Sequence, residues 1–376
     1  MPDSAASTPV RRCFVHVGLQ KTGTSYLQSV FWQSTEALRE QGLGLLPGTR
    51  AGAYHLMLAV RDQLREGIDP PKAFTVLRRL PRQAARLDTP HALISQESLA
   101  PASPDQVRRL VTALEPFEVH VVVTARDLAR QIPSTWQQRM RTRRTEPYDA
   151  FVRAVAARGP HARVFWAQQD LPAVLDRWGS VVPAERVHLV TVPPAGTPGA
   201  VLLERYCAAV GVSPEGLDTR ASRPNASLGS AQAELLRRVN VALGDRLPHP
   251  RRGYAAMVKR FLAGEILAAQ PGDAVAVPRD LESWCIELAE AWTKDVTARG
   301  VDVVGDLADL VPPAEAFAGC STPVADAAVA AAASEALAEL VHRRRGEVHE
   351  LDDLRARVTR LEGELAAYRA GGSPGS

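Results

Sequence analysis

Lysine is scarce in this chain. Of its 45 basic residues only four are lysines, Lys21, Lys72, Lys259 and Lys294. The others are arginines scattered through all 376 residues, so an arginine cluster says little here and a lysine stands out. Cysteine is scarce too. Cys13, Cys207, Cys285 and Cys320 lie far apart with no CxxC pair, which argues against zinc and disulfide frameworks. No uninterrupted apolar run approaches the ~18–20 residues of a membrane helix. The opening MPDSAASTPVRR lacks the apolar segment of a secretory signal, so a cytoplasmic protein is expected. The net charge of +3 is too balanced to argue for nucleic acid. With 45% hydrophobic and 23% charged residues, what is left is a globular protein of one or two domains with a sizeable core.

Four segments read as strands: CFVHVG from Cys13 to Gly18, HALIS (His91–Ser95), EVHVVVTA ending at Ala125, and RVHLVTV (Arg186–Val192). The third is almost continuously apolar, as strands buried on both faces of a parallel sheet are. Helical patterns fall between them: Tyr26 to Arg39, Asp105–Leu114, Ala129–Arg144 and Ala173–Trp178. This alternation predicts an α/β fold, a central parallel sheet flanked by helices, with ligands at the edge where the strands end. Beyond Val192 the pattern is mostly helical, at Ala200–Val210, Ser230–Leu243, Met257–Ala269 and Leu281–Thr297. The main domain is expected over 12–313, after a disordered 1–11. An Ala-rich linker is expected over 314–334, a helical or coiled-coil segment over 335–370 and a disordered tail over 371–376. In that segment Leu351, Leu354, Val358, Leu361, Leu365 and Tyr368 repeat at three- and four-residue spacing. They form an a/d seam of about three heptads, suited either to self-association or to folding back on the domain.

The most informative segment follows the first strand. GLQKTGTS, Gly18–Ser25, has the two glycines and the final Ser of a GxxxxGK[ST] phosphate loop, but Thr24 stands where the lysine belongs. A lysine appears three residues earlier, as Lys21. Strand, glycine loop and helix start make an anion site, with Thr22, Gly23, Thr24 and Ser25 as candidate binders. A second element follows the third strand, where Arg126 and Ser134 stand eight residues apart in TARDLARQIPS. A fork-shaped guanidinium and a hydroxyl there could meet at one phosphate. No strand ends in the acidic pair that would hold a metal, so an ordinary kinase or NTPase is the less favoured reading and no metal is expected.

The stretch HVGLQKTGTSYLQ resembles the 5′-phosphosulfate loop of sulfotransferases that use 3′-phosphoadenosine 5′-phosphosulfate (PAPS). The likeness runs well over about Arg12 to Gln138 and more loosely to Pro313, in the manner of bacterial members. It implies that Lys21 contacts the phosphosulfate, that Lys21–Ser25 hold the 5′-phosphate, and that Arg126 and Ser134 read the 3′-phosphate. The implied activity is metal-independent transfer of a sulfuryl group from PAPS to an acceptor, a small molecule, glycan or lipid. A sulfotransferase-like protein that binds nucleotide without catalysis is the other reading. The family's late Arg-Lys-Gly loop is not clearly present, with HPRRGY (His249–Tyr254) as a stand-in.

Transfer to a hydroxyl calls for a general base. Glu97 follows the second strand in LISQESLA, beside the expected loop, and some family members use a Glu there while others use a His. His55, in AGAYHLMLAV, is the alternative. His91 opens its strand and would lie at the opposite edge. The run Arg139, Arg141, Arg143, Arg144 reads as a solvated helix end or a contact for an anionic acceptor.

Overall fold

The computed structural model describes residues 10–220, 227–247, 250–317 and 323–371. They form two compact units. The first comprises residues up to 139, 146–227 and 274–317, and the second 140–145, 228–273 and 323–371.

The first unit is built on one six-stranded sheet: β1 (Arg12–Gly18), β2 (Leu43–Leu45), β3 (His91–Ser95), β4 (Glu118–Ala125), β5 (Val187–Thr191) and β6 (Asp302–Val304). Their order is β2-β3-β1-β4-β5-β6 and every pairing is parallel. All strands therefore end at one edge. The chain moves to one side of β1 to build β2 and β3, then to the other side for β4 to β6. The end of β1 is thus the point where the winding reverses, and ligands of open parallel sheets bind at such points. The α/β expectation holds, and the four strands read from the sequence are present. β2 and β6 escaped notice because each is a three-residue edge strand, too short to show a period. β6 lies close to the end of the segment expected as the main domain.

β4 is buried from Val119 to Ala125, as its apolar run demands. α1 (Thr24–Gln33) follows β1, and α2 (Thr35–Glu40) continues after a break at Ser34, where a single helix was expected. The Ser34 hydroxyl there accepts the Asp218 N–H at 2.7 Å. One face of the sheet gives Phe14, Leu93, Val122 and Val190 to a cluster that includes Leu27, Val30 and Phe31 of α1. Completely burying such a side chain contributes about 1.5–3 kcal/mol, so this face fixes α1 firmly behind its loop. α3 (Arg50–Val60), α4 (Val76–Ala85), α5 (Pro104–Ala113), α6 (Leu128–Met140), α7 (Tyr148–Ala156), α8 (Arg163–Gln169), α9 (Leu171–Gly179), α10 (Gly199–Val210) and α12 (Glu282–Arg299) supply the remaining helices of this part of the chain; α11 (Ser230–Leu243) belongs to the second unit.

In the second unit α11 is accompanied by a π-helical stretch, Pro250–Ile266, and by α13 (Asp326–Gly371). Asn240 donates to the carbonyls of Met140 and Arg144 at 2.8 and 2.9 Å, and Tyr254 donates to Asn240 Oδ1 at 2.5 Å. α13 begins at Asp326, inside the segment read as a linker. Alanine is the strongest helix former, so the alanines after Asp326 start the helix rather than precede it. The single domain over 12–313 is divided: 140–145 and 228–273 cluster with α13. Among the described residues no helix is long and apolar enough to cross a membrane. The expectations for 1–9 and 372–376, and those resting on Cys320 and His249, lie outside the described residues.

Candidate functional site

The site assembles where β1, β3 and β4 end. After β1 the backbone takes left-handed conformations at Gly18 (φ 87°), Lys21 (φ 67°) and Gly23 (φ 82°). For a lysine this costs about 1–3 kcal/mol, and strain of that size persists where the surroundings impose it. Gly23 is the residue before α1 and offers no side-chain cap, so the first amides of α1 are left to other partners. A Cβ on Gly23 would stand 2.5 Å from Leu202 of α10, so the loop is packed from behind. Thr24 and Ser25 open α1, and neither hydroxyl bonds a protein group among the described residues. Lys21 is half-buried.

Thr22 differs from its neighbours. It is fully buried and its hydroxyl donates to the Leu19 carbonyl at 2.6 Å. That proton is then spent, so the Thr124 hydroxyl donates to Thr22 Oγ1, also at 2.6 Å. His16 Nε2 in turn donates to Thr124 Oγ1 at 3.2 Å, and Nδ1 accepts from the Ser95 hydroxyl at 2.8 Å. Burial holds the His16 ring neutral, its pKa down to about 3. The hydroxyl of Thr22, expected to donate to an anion, instead fastens the loop to β4. Its backbone N–H is what remains for a ligand.

At the end of β4, Arg126 Nη2 donates to Ser134 Oγ at 3.0 Å and to the Arg130 carbonyl at 2.8 Å. The eight-residue spacing is thus a real contact, made by a strand end and the second turn of α6. Asp127 is occupied by Arg130, and Arg126 makes no ion pair among the described residues. Burial, aided by the charge of Arg130 and opposed by Asp127, lowers its pKa to about 10, so it stays cationic at neutral pH.

The two motifs are joined by a residue that the sequence did not single out. Gln131 Oε1 accepts from Arg126 Nε at 3.1 Å. Its amide donates to the Gln20 carbonyl in the loop and, at 2.5 Å, to Gln169 Oε1. Gln169 also donates to the Gln20 carbonyl, at 3.2 Å. Both glutamines are buried. In sequence each is one of many polar helix residues. The only signal was that Gln131 lies five residues after Arg126 on the helix that carries Ser134.

Glu97 opens a 3₁₀ turn after β3, beside the loop as expected. Gln28 of α1 donates to Glu97 Oε2 at 2.8 Å, and Gln20 donates to Ser98 Oγ at 3.1 Å. His55 lies on α3 beside Tyr54, with the charges of Asp69 and Lys72 nearby. Its pKa is lowered, first by burial. Among the described residues it makes no hydrogen bond to the loop or to Glu97. His91 is at the start of β3, where Nδ1 accepts the Arg12 N–H at 3.3 Å, at the far edge of the sheet. The arginine run is only in part a solvated helix end: α6 stops at Met140 and Arg144 is exposed, but Arg139 pairs with Glu146 and Arg143 donates to the Leu247 carbonyl at 3.0 Å.

No protein-family model matches the chain and no curated protein matches it. Among solved structures it is similar to the sulfotransferase from Alicyclobacillus acidocaldarius, at 16% identity and a TM-score of 0.35, over 63% of this chain and 95% of that one. It is similar also to the sulfotransferase domain from the curacin biosynthetic pathway, at 13% identity and a TM-score of 0.33, over 69% of this chain and 99% of that one. The likeness is one of fold.

Proposed function

We propose that the first unit binds PAPS and transfers its sulfuryl group to a hydroxyl or amine of a small molecule, glycan or lipid. The observation that carries this reading is Arg126. It is a partly buried cation with no ion pair among the described residues, set against the Ser134 hydroxyl and tied through Gln131 to a glycine loop. Two anion-binding elements in fixed register suit a ligand with two separated phosphates, which is what distinguishes this donor from ATP.

The residues fit the donor. The left-handed loop and the uncapped start of α1 would hold the 5′-phosphate, and Arg126 with Ser134 the 3′-phosphate. Once bound, the donor supplies a sulfuryl group whose S–O bond to phosphate breaks as the acceptor oxygen forms a new one. Lys21 would place positive charge beside the leaving phosphate, so no metal ion is called for. Glu97 would take the acceptor's proton. Gln28 holds one oxygen of that carboxylate and so orients it.

Titration calorimetry with adenosine 3′,5′-bisphosphate (PAP), ADP and ATP–Mg²⁺ tests the reading. PAP is expected to bind tightest. At one hundred times its dissociation constant it should stabilise the fold by about 2.7 kcal/mol. Tighter binding of ATP–Mg²⁺ would overturn it.

A further inference from the structure

The 26 residues of α13 from Arg344 to Arg369 are all exposed. The start of the helix is not. Val329, Ala332 and Ala336 are buried, Gln270 donates to the Ala332 carbonyl at 3.2 Å, and Arg343 pairs with Glu265 at 2.7 Å. Beyond that ion pair about 39 Å of helix continues at 1.5 Å per residue with a row of large apolar side chains in water. Leu351, Leu354, Val358, Leu361, Leu365 and Tyr368 are each 44–81% exposed. A helix seldom carries such a stripe without covering it.

The flanking charges identify the cover. Leu351, Val358 and Leu365 occupy the a positions of three heptads, and Leu354, Leu361 and Tyr368 the d positions. The g positions are then Glu350, Arg357 and Glu364, and the e positions Arg355, Glu362 and Arg369. In a parallel, in-register pair each g residue faces the e residue five positions on in the other chain. Those pairs are Glu350 with Arg355, Arg357 with Glu362, and Glu364 with Arg369, all opposite in sign. In an antiparallel pair with Val358 opposite Leu361 of the other chain, g faces g and e faces e. Glu350 would then meet Glu364, Arg355 would meet Arg369, and Arg357 and Glu362 would each meet their own copy, all like in sign. Among the described residues only one of the six charges, Arg355, has an ion pair within its own helix, with Asp352 at 3.3 Å. Leu at d around Val358 at the central a is the side-chain pattern of two strands.

We propose that a second copy of this chain covers the stripe, as a parallel, in-register two-stranded coiled coil over Glu350–Arg369. The seam ends towards the N-terminus because Arg344 and Glu347 fall at its next a and d positions. This pairing is independent of the donor site.

Sedimentation equilibrium of the full chain tests it. The expected mass is twice the 40.6 kDa of one chain, falling towards one chain on dilution. Leu354→Asp combined with Leu361→Asp should give monomers at every concentration. Both side chains are about half exposed, so circular dichroism should show the fold intact. Glu364→Arg turns two attractive pairs into two repulsive ones and should weaken the dimer roughly tenfold. Adding Arg369→Glu should restore it. A wild-type monomer at the highest soluble concentration, a mass of three or more chains, or a dimer unaffected by the aspartates would overturn the proposal. A dimer tightened by Glu364→Arg would overturn the parallel orientation.

Discussion

Glu97 is packed against Gly18 so closely that a Cβ on the glycine would stand 2.6 Å from the Cβ of Glu97. Gly18 closes β1 and Glu97 follows β3, the neighbouring parallel strand. The contact therefore sets the proposed base and the anion loop side by side, through backbone and Cβ positions rather than through flexible chain ends.

Gly18→Ala should be costly on two counts. The residue is left-handed at φ 87°, and its new methyl would collide with a Cβ that cannot swing away. A loss of roughly 2–4 kcal/mol in urea unfolding is expected, with weaker PAP binding in what remains folded. Wild-type stability together with wild-type affinity would contradict the close packing.

Arg126→Ala and Ser134→Ala should weaken PAP by on the order of 1.5–3 kcal/mol each, the worth of a charge-assisted hydrogen bond. Lys21→Ala should lower turnover more than affinity, because its charge matters most as the leaving phosphate gains charge. Calorimetry paired with single-turnover rates separates the two effects. Three equal losses of affinity with unchanged turnover would show that no such division exists.

Gln131→Leu should also weaken PAP although Gln131 is not proposed to touch it. The substitution removes the partner of Arg126 Nε and of Gln169 Oε1 together, leaving buried polar groups unpaired at about 1–3 kcal/mol. An unaltered PAP affinity would confine Gln131 to a packing role.

Glu97→Gln keeps shape and a hydrogen-bonding end but loses the basic oxygen. Turnover should fall about 10²–10⁴-fold with PAP binding nearly intact. His55→Ala should change turnover little, since the ring sits with Tyr54, Asp69 and Lys72. Full turnover in Glu97→Gln and none in His55→Ala would move the base to His55.

The stability of the fold should depend on His16. Burial lowers its pKa from 6.5 to about 3 in the folded protein, while the unfolded chain keeps the ordinary value. Above pH 6.5 the ring is neutral in both states. Between pH 6.5 and 3 only the unfolded chain takes up the proton, so folding loses up to about 1.4 kcal/mol per pH unit from this group as pH falls. Urea unfolding of wild type and His16→Gln across this range should give curves that diverge below pH 6.5, with wild type falling faster. Parallel curves would reject the assignment.

Much of the site was legible because its parts are local. The turn after β1 needs glycines at two places, and the spacing from Arg126 to Ser134 is a strand end and two helical turns. Both are written in consecutive residues. Helix boundaries were less legible. The break at Ser34 rests on a hydrogen bond from Asp218, and the start of α13 on alanines that read equally well as linker.

The sequence by itself determined the four buried strands, the glycine loop with its out-of-place lysine, and the heptads of the tail, since each follows from a period or a backbone requirement within one segment. Only the tertiary structure decided that Thr22 spends its hydroxyl on Leu19 and Thr124, and that Gln131 joins Arg126 to Gln20. The partners in these contacts are 3 to 111 residues apart in the chain. Other side chains of the same types, such as Gln33 and Thr35, face water. Which ones turn inward and meet is fixed by the order of parallel strands around β1, and a pattern read along one segment does not contain that order.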